Sequence, residues 1–269
     1  MSHGVALVVL GFLLAVWPVR AQTSPPSPPA EQPEQTSADD PLKAVFFSVR
    51  NEYANQLGAD WAEALIVRSD RAWLRRHNRL GGKVGLLSRV DVPIVTAHAD
   101  GATQTGLGDL YAQIVHVPFL TRHFALAMGS GLTFPTATSQ TAGFGKWQLA
   151  PILVPVWFFP ARKGFFLIKL HEHVSFAGDA TRPDVNYLQT TPSVVYNFRR
   201  LWWVSLDTEA TTDWQRENRV SFRSGVELGH VVLGRRFGLS LKPEIPWGVN
   251  RTGDWTVKVI LTRYRLPSS

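Results

Sequence analysis

The sequence predicts an all-β fold: an antiparallel transmembrane β-barrel of about 12 strands behind a disordered, Pro-rich N-terminal segment. Three observations predict it. An apolar leader opens the chain, period-two alternation fills most of the chain beyond residue 42, and aromatic residues gather at the ends of the alternating runs.

Residues 4–17, GVALVVLGFLLAVW, form one apolar run. It is shorter than the roughly 20 residues of a spanning helix. Val19 and Ala21 stand at −3 and −1 of a cleavage site before Gln22. Residues 1–21 therefore read as a secretory signal peptide, although its n-region carries His3 and no Lys or Arg. Residues 22–41 include TSPPSPPAEQPEQTSADDP and have no large apolar side chain. Such a segment cannot bury enough surface to offset its ordering entropy, so it reads as a disordered tether. Residues 42–269 form the barrel domain.

Composition excludes several classes. The 269-residue chain has a formal charge of +7, or +6 once Arg20 leaves with the leader. Apart from Arg68, Arg71, Arg75, Arg76 and Arg79, the basic side chains are scattered, which with export argues against nucleic acid. There is no cysteine, which excludes a disulfide framework, a lipid-modified N-terminal Cys and thiolate metal sites. No cofactor is implied.

Alternation places the strands at 43–57, 61–74, 79–96, 107–119, 123–134, 146–159, 164–177, 186–198, 201–211, 218–230, 235–248 and 254–265. The first is ambiguous, since 43–58 reads as helix or strand. Phe124, Leu126, Met128, Leu132 and Phe134 oppose Ala125, Ala127, Gly129, Gly131 and Thr133. Val220, Phe222, Val226 and Leu228 oppose Arg219, Arg223, Gly225 and Glu227. Phe237, Leu239, Leu241 and Ile245 oppose Gly238, Ser240, Lys242 and Glu244. Trp255, Val257, Val259 and Leu261 oppose Thr256, Lys258 and Thr262. Successive strand side chains point to opposite faces, so each ribbon has one apolar face and one small or charged face.

A soluble sandwich would hide the apolar faces inside; a membrane barrel turns them to lipid. Export favours the barrel. So do short turns at 121–123, 160–163 and 199–200, which alternate with longer loops at 97–105, 135–144, 178–185 and 212–218. Trp157, Phe158, Phe159, Trp202, Trp203, Trp247 and Trp255 match interfacial girdles. The barrel must close, because open edges in lipid strand unpaired backbone groups.

Several blocks occur in a fixed order: TGLGDLYAQIVHVPF (105–119), GSGLTFPTATSQTAGFGKWQLAP (129–151), HVSFAGDATRPDVNYLQTTPSVVYNF (173–198), WWVSLDTEATTDW (202–214) and SGVELGHVVLGRRFGLSLKPEIPWGVNRTGDWTVKV (224–259). Together they resemble the outer-membrane transporters of the phenol-degradation meta-pathway family. The resemblance covers most of residues 61–264. It implies an outer-membrane barrel, in contact with lipid and with the barrel-assembly machinery, that passes small, often hydrophobic solutes. Tyr264 takes the place of the terminal aromatic residue that assists assembly, although Arg265–Ser269 follow it.

The candidate lumen-lining residues are Asp207, Glu209, Arg219, Arg223, Glu227, Lys242, Glu244 and Lys258, with His171 and His173. The charges either form a constriction that orients a solute or pair across strands and fill the barrel. His171 and His173 share a face and would hold a metal only with a third ligand, for which that parity offers no nearby acid. His173 and Ser175 repeat the His-x-Ser spacing of outer-membrane phospholipases and lipid A deacylases, an alternative reading as a lipid hydrolase. However, Phe166, Ile168, Leu170, Val174 and Phe176 occupy the opposite parity, which turns Ser175 away from lipid. Glu172 falls on that apolar parity and is expected near an interface or a bulge. A third alternative is a structural barrel without throughput. GLGD (106–109) and GFG (143–145) lack the Lys-Ser/Thr and helix of a phosphate loop and read as turns or bulges.

Overall fold

A computed structural model of the chain describes residues 45–58, 60–77, 83–99, 101–160, 163–198, 201–232 and 237–264. The leader at 1–21 and the tether at 22–41 lie outside the described residues, as do 265–269.

The strands are β1 (Val45–Gln56), β2 (Trp61–His77), β3 (Lys83–Ala99), β4 (Ala102–Leu107), β5 (Leu110–Leu120), β6 (Phe124–Phe134), β7 (Lys146–Phe158), β8 (Gly164–Gly178), β9 (Asn186–Phe198), β10 (Trp202–Asp213), β11 (Arg219–Val232), β12 (Phe237–Trp247) and β13 (Gly253–Tyr264). Neighbouring strands of the wall pair antiparallel, and β1 pairs with β13, so the sheet closes on itself. β4 and β5 lie end to end along β3 and make one wall strand broken at Gly108 and Asp109. The barrel thus has twelve wall strands among the described residues, an even number that brings both strand termini to one end. We call that end, with its short turns, the turn end, and the opposite one the loop end.

The ambiguous first segment is a strand. It fills the gap between β2 and β13, whose facing edges would otherwise be unpaired. The stretch 97–105 corrects the expected loop: it belongs to a hairpin of β3 and β4 that lengthens the wall at the loop end. Gly101 turns it at φ 76°, a left-handed conformation that suits glycine. Thr96 and Thr105 Oγ1 lie 2.9 Å apart, and His98 Nδ1 lies 2.9 Å from Thr103 Oγ1. A ladder in water is polar on both faces, so it carries no alternation to find.

The outward faces are apolar along the predicted parity, with Leu153, Val194, Leu206, Val226, Leu239, Leu241 and Val259 exposed. Aromatic rows bound this band at both ends. Trp255, Tyr53, Trp61 and His98 stack in sequence across β13, β1, β2 and β3 at the loop end, with ring centroids 5.4, 5.8 and 6.1 Å apart. Phe119, Phe124, Trp157 and Phe166 form the turn-end row at 5.9, 5.6 and 5.5 Å. Trp147 and Trp157 mark the two rows on β7 alone. Ten residues at the usual strand rise and tilt span about 25 Å, the height of an outer-membrane apolar band.

Leu153 lies between those two tryptophans on the outer face. Leu153→Arg is expected to cost about 2–4 kcal/mol. Denaturant titration of the barrel in lipid vesicles measures this; a cost near zero would mean that the face does not meet hydrocarbon.

Candidate functional site

The interior begins with a problem of charge. Strand parity turns Arg50, Glu52, Asp207, Glu209, Arg223, Glu227, Lys242, Glu244 and Lys258 inward, and all are buried. Lys242 and Lys258 are each only 1 % exposed, too little for water to solvate them. Isolated burial of such charges costs several kcal/mol each, so they need partners.

Glu244 supplies the hub. Its carboxylate meets Lys242 Nζ at 2.7 Å, Lys258 Nζ at 2.8 Å and Arg223 Nε at 3.3 Å. Lys242 continues to Asp207 at 3.0 Å, and Arg223 to Glu209 at 3.1 Å. Lys258 reaches Glu52 at 3.6 Å, which in turn lies 3.6 Å from Arg50. The chain of ion pairs crosses β10, β11, β12, β13 and β1. On the next strands Arg68 pairs with Asp91 and Arg89 with Asp70, both at 2.8 Å.

This reach depends on small residues between the partners. Lys242 on β12 meets Asp207 on β10 by passing over Gly225 on β11. A Cβ at Gly225 would lie 2.8 Å from Glu244 Cγ and 2.9 Å from Lys242 Cε. The small face in the sequence is therefore the floor on which the long side chains lie.

A second group lines the loop-end half of β5 to β9. Tyr111 Oη donates to Gln113 Oε1 at 2.9 Å and lies 3.0 Å from His171 Nε2. Its ring passes over Gly131, where a Cβ would strike it. His171 Nδ1 lies 3.3 Å from His173 Nε2, and the His173 ring stacks on Tyr187 at 4.7 Å. His173 Nδ1 and both amide atoms of the fully buried Gln148 have no hydrogen-bond partner among the described residues.

Toward the turn end the same wall becomes apolar inside as well as outside. Val115, Val117, Ala125, Ala127, Ile152, Val154, Val156, Phe158, Phe165 and Val195 form one buried cluster. This departs from the expected rule of one small or charged face per ribbon. The loop at 135–145 also folds in. Ala142 packs against Ala64, Ile66 and Val95 on the inner faces of β2 and β3. Asp109, at the break between β4 and β5, accepts from Ala137 N at 3.0 Å and Gly145 N at 2.9 Å, and so holds the loop at both ends.

The remaining candidates stand apart. Arg219 is exposed at the loop end and lies outside the network. Glu172 is on the outer face, where its carboxylate accepts from Trp214 Nε1 at 3.0 Å, near the loop-end interface as its parity required. Ser175 Oγ accepts from Val185 N at 2.9 Å and contacts Asp184 Oδ1 at 3.5 Å, while His173 faces His171 and Tyr187. The serine and histidine are thus engaged separately rather than as nucleophile and base. Among the described residues no cluster of three His, Cys, Asp or Glu side chains is placed to hold a metal.

The pairs on β1 to β3, the apolar inner patch and the Asp109 latch were not anticipated from sequence. Arg68, Asp70, Arg89 and Asp91 share one parity in two adjacent strands, and that alternation of charge was a readable signal for the pairs.

The same architecture occurs in solved structures. The COG4313 outer membrane channel from Pseudomonas putida F1 superposes with a TM-score of 0.71 at 12% identity, over 86% of this chain and 100% of that one. The NanC porin gives 0.54 at 10% identity over 82% and 100%, and the KdgM porin 0.50 at 12% over 82% and 99%. At these identities the likeness establishes the fold, a closed antiparallel barrel of the outer-membrane type. No family model matches the chain, and no curated protein matches it.

The hub and the loop end each allow a measurement. Glu244→Gln leaves Lys242, Lys258 and Arg223 around a neutral group, and should cost about 3–5 kcal/mol in a denaturant titration. A loss under about 1 kcal/mol, the value of an exposed pair, would mean that water reaches the network.

At the loop end, the Lys146 hydrogen bond and then its charge hold the Asp184 carboxyl below the usual range. A depressed folded value stabilises above the unfolded value and is lost as pH falls through the folded one. Amide exchange across 179–185 should therefore accelerate below about pH 4, while Asp184→Asn exchanges fast on both sides of it. Equal acid sensitivity in the variant would assign the effect elsewhere.

Proposed function

We propose that the chain is an outer-membrane channel that binds and passively passes small uncharged solutes, apolar or aromatic ones among them. The carrying observation is the two-sided interior: a self-neutralised ionic wall on β10 to β3 faces a wall on β5 to β9 that is apolar at the turn end. The first wall offers a solute oriented dipoles from charges that are mostly paired; the second offers dispersion contact. Gln148 and His173 Nδ1 supply polar atoms free to bond a solute above the apolar patch.

The fold shared with the Pseudomonas putida channel and two porins supports an outer-membrane location and a passage role. The ordered sequence blocks support membership of the meta-pathway transporter family, and with it a hydrophobic solute. The outward apolar band supports lipid as the surrounding partner, which export through the leader at 1–21 and the barrel-assembly machinery would supply.

Charge balance makes the reading specific. In the network, the cations Arg50, Arg223, Lys242 and Lys258 meet the anions Glu52, Asp207, Glu209 and Glu244, while the further buried carboxylate of Glu227, which accepts from Trp203 Nε1 at 3.4 Å, is offset in sign by the buried Lys169 on β8. Full-length protein in planar bilayers should give small discrete conductance steps with a reversal potential near zero across a salt gradient. A silent bilayer would remove the channel reading, and strong anion or cation selectivity would remove the self-neutralised wall from it.

A further inference from the structure

The loop between β6 and β7 does not stay at the rim of the barrel. Ladder pairing of β5 with β6 ends at Leu110 and Phe134. Beyond it the chain turns inward, and its polar groups take up the backbone around the break at Gly108 and Asp109. Thr136 Oγ1 donates to Gly108 O at 2.8 Å and accepts from Leu110 N at 2.9 Å, and Thr138 N donates to Leu107 O at 3.0 Å. Asp109 Oδ1 accepts from Ala137 N at 3.0 Å and Oδ2 from Gly145 N at 2.9 Å, so one carboxylate ties both arms of the loop. Arg182 Nη1 donates to Gly143 O at 3.0 Å from the neighbouring loop. A Cβ at Gly143 would lie 2.6 Å from Asp109 Oδ2 and 2.7 Å from Ala137 Cβ, so the loop closes on the carboxylate only because that position has no side chain.

The reach of the loop decides what it can do. It is rooted on β6, yet Ala142 is buried against Ala64 and Ile66 on β2 and Val95 on β3. It therefore passes over the inner faces of β5 and β3 to reach β2, about three strand spacings or about 14 Å. Twelve strands about 4.8 Å apart and tilted about 40° enclose a backbone cylinder about 24 Å across, of which inward side chains leave about 14 Å. A backbone layer about 5–10 Å thick over this arc takes roughly half of that opening.

We propose that this loop is the size filter of the channel, and that Asp109 is the positioning residue that sets it. The inference rests on the channel reading and adds what the channel excludes: uncharged solutes are sorted by width at the loop end before they reach the interior. Thr136, Thr138 and Arg182 each hold one arm. Only the Asp109 carboxylate joins the two, so losing one of its acceptors frees the span that packs on β2 and β3.

Asp109→Asn keeps the shape of the side chain and removes one acceptor, because its Nδ2 group would face one of the two N–H groups. Gly143→Ala pushes the loop off the same carboxylate without altering it. Both are measured in the full chain, by conductance in planar bilayers and by swelling of liposomes in uncharged mono-, di- and trisaccharides. Conductance should rise about twofold, in line with the share of the opening that the loop takes, and entry of trisaccharide relative to monosaccharide about fivefold.

A staple separates the position of the loop from damage to the barrel. A Cβ at Gly106 on β4 would lie 3.6 Å from Thr138 Cβ in the loop, within disulfide range, and the chain has no cysteine of its own. In Asp109→Asn with Gly106→Cys and Thr138→Cys, oxidation should restore the unaltered conductance and size limit, and reductant should release them again. Unchanged conductance and an unchanged sugar ratio in both Asp109→Asn and Gly143→Ala overturn the filter and leave the channel reading standing. Widening that the oxidised staple does not reverse also overturns it, since the wall and not the loop would then have changed. Silence of the unaltered protein, the variants and the stapled form alike defeats the channel reading, and the filter with it.

Discussion

Neutralisation of charge inside a closed wall is the constraint on which the rest of the barrel depends. Lipid forbids an unpaired strand edge, so the sheet must close, and closure seals Lys242, Lys258 and Glu244 away from water. Their desolvation is offset only by partners within about 3 Å, and these come from distant parts of the chain. Glu52 on β1 meets Lys258 on β13 across the seam that joins the first and last strands. Arg223 and Lys242 carry the connection back to β10. The ion pairs are thus satisfied only in the closed barrel, and they couple closure to side-chain order. Such a network adds less to stability than its geometry suggests, because the Coulomb gain is set against desolvation. Its stronger effect is on register: a slip of one residue in β12 would turn Lys242 and Glu244 to hydrocarbon and leave three partners bare.

The two halves of the interior reflect this constraint. A wall of balanced charges must be crowded, because each ion needs a counterion at contact distance, and Gly225 provides the space for crossing side chains. The wall on β5 to β9 has no such demand at the turn end, and valine, isoleucine and phenylalanine fill it. Its loop end mixes both characters, with Tyr111 lying across Gly131 to reach His171. The loop at 135–145 narrows the interior from above, anchored through the Asp109 carboxylate. From loop end to turn end the interior of this wall therefore runs from a polar band to an apolar patch.

Much of the wall was legible in the sequence, and the reasons are local. β11, β12 and β13 have clean alternation because one face meets lipid and the other meets ions, the largest contrast a strand can carry. Their charged residues Arg223, Glu227, Lys242, Glu244 and Lys258 could be assigned inward from parity alone. Where contrast fails, so does the reading. PILVPVWFF on β7 is apolar at both parities, since lipid lies on one side and the inner patch on the other. The hairpin of β3 and β4 is polar at both parities because its outer part stands in water, and it reads as a loop. Arg219 obeys the lumen parity yet sits at the exposed end, since parity gives the face of a strand and not the depth. The Asp109 latch joins residues some thirty positions apart through backbone N–H groups, and no periodicity records that.

Stiffness is distributed unevenly around the wall. From β10 round to β1, and again between β2 and β3, neighbouring strands are joined twice, by ladder hydrogen bonds and by ion pairs within the barrel. Parting any two of them would expose charge to hydrocarbon, at a cost of several kcal/mol per ion. Between β7 and β8 the ladder lacks two bonds, at Pro151 and Pro155, and at the turn end the inner side chains that meet are methyl and aromatic groups. Parting them exposes apolar surface to lipid, which costs little because lipid is as apolar as the side chains it replaces. The ionic wall therefore holds its strands together more firmly than the proline-interrupted ladder does, and the buried Lys169 on the inner face of β8, opposite Val154, is the charge that keeps the β7–β8 seam from being apolar throughout.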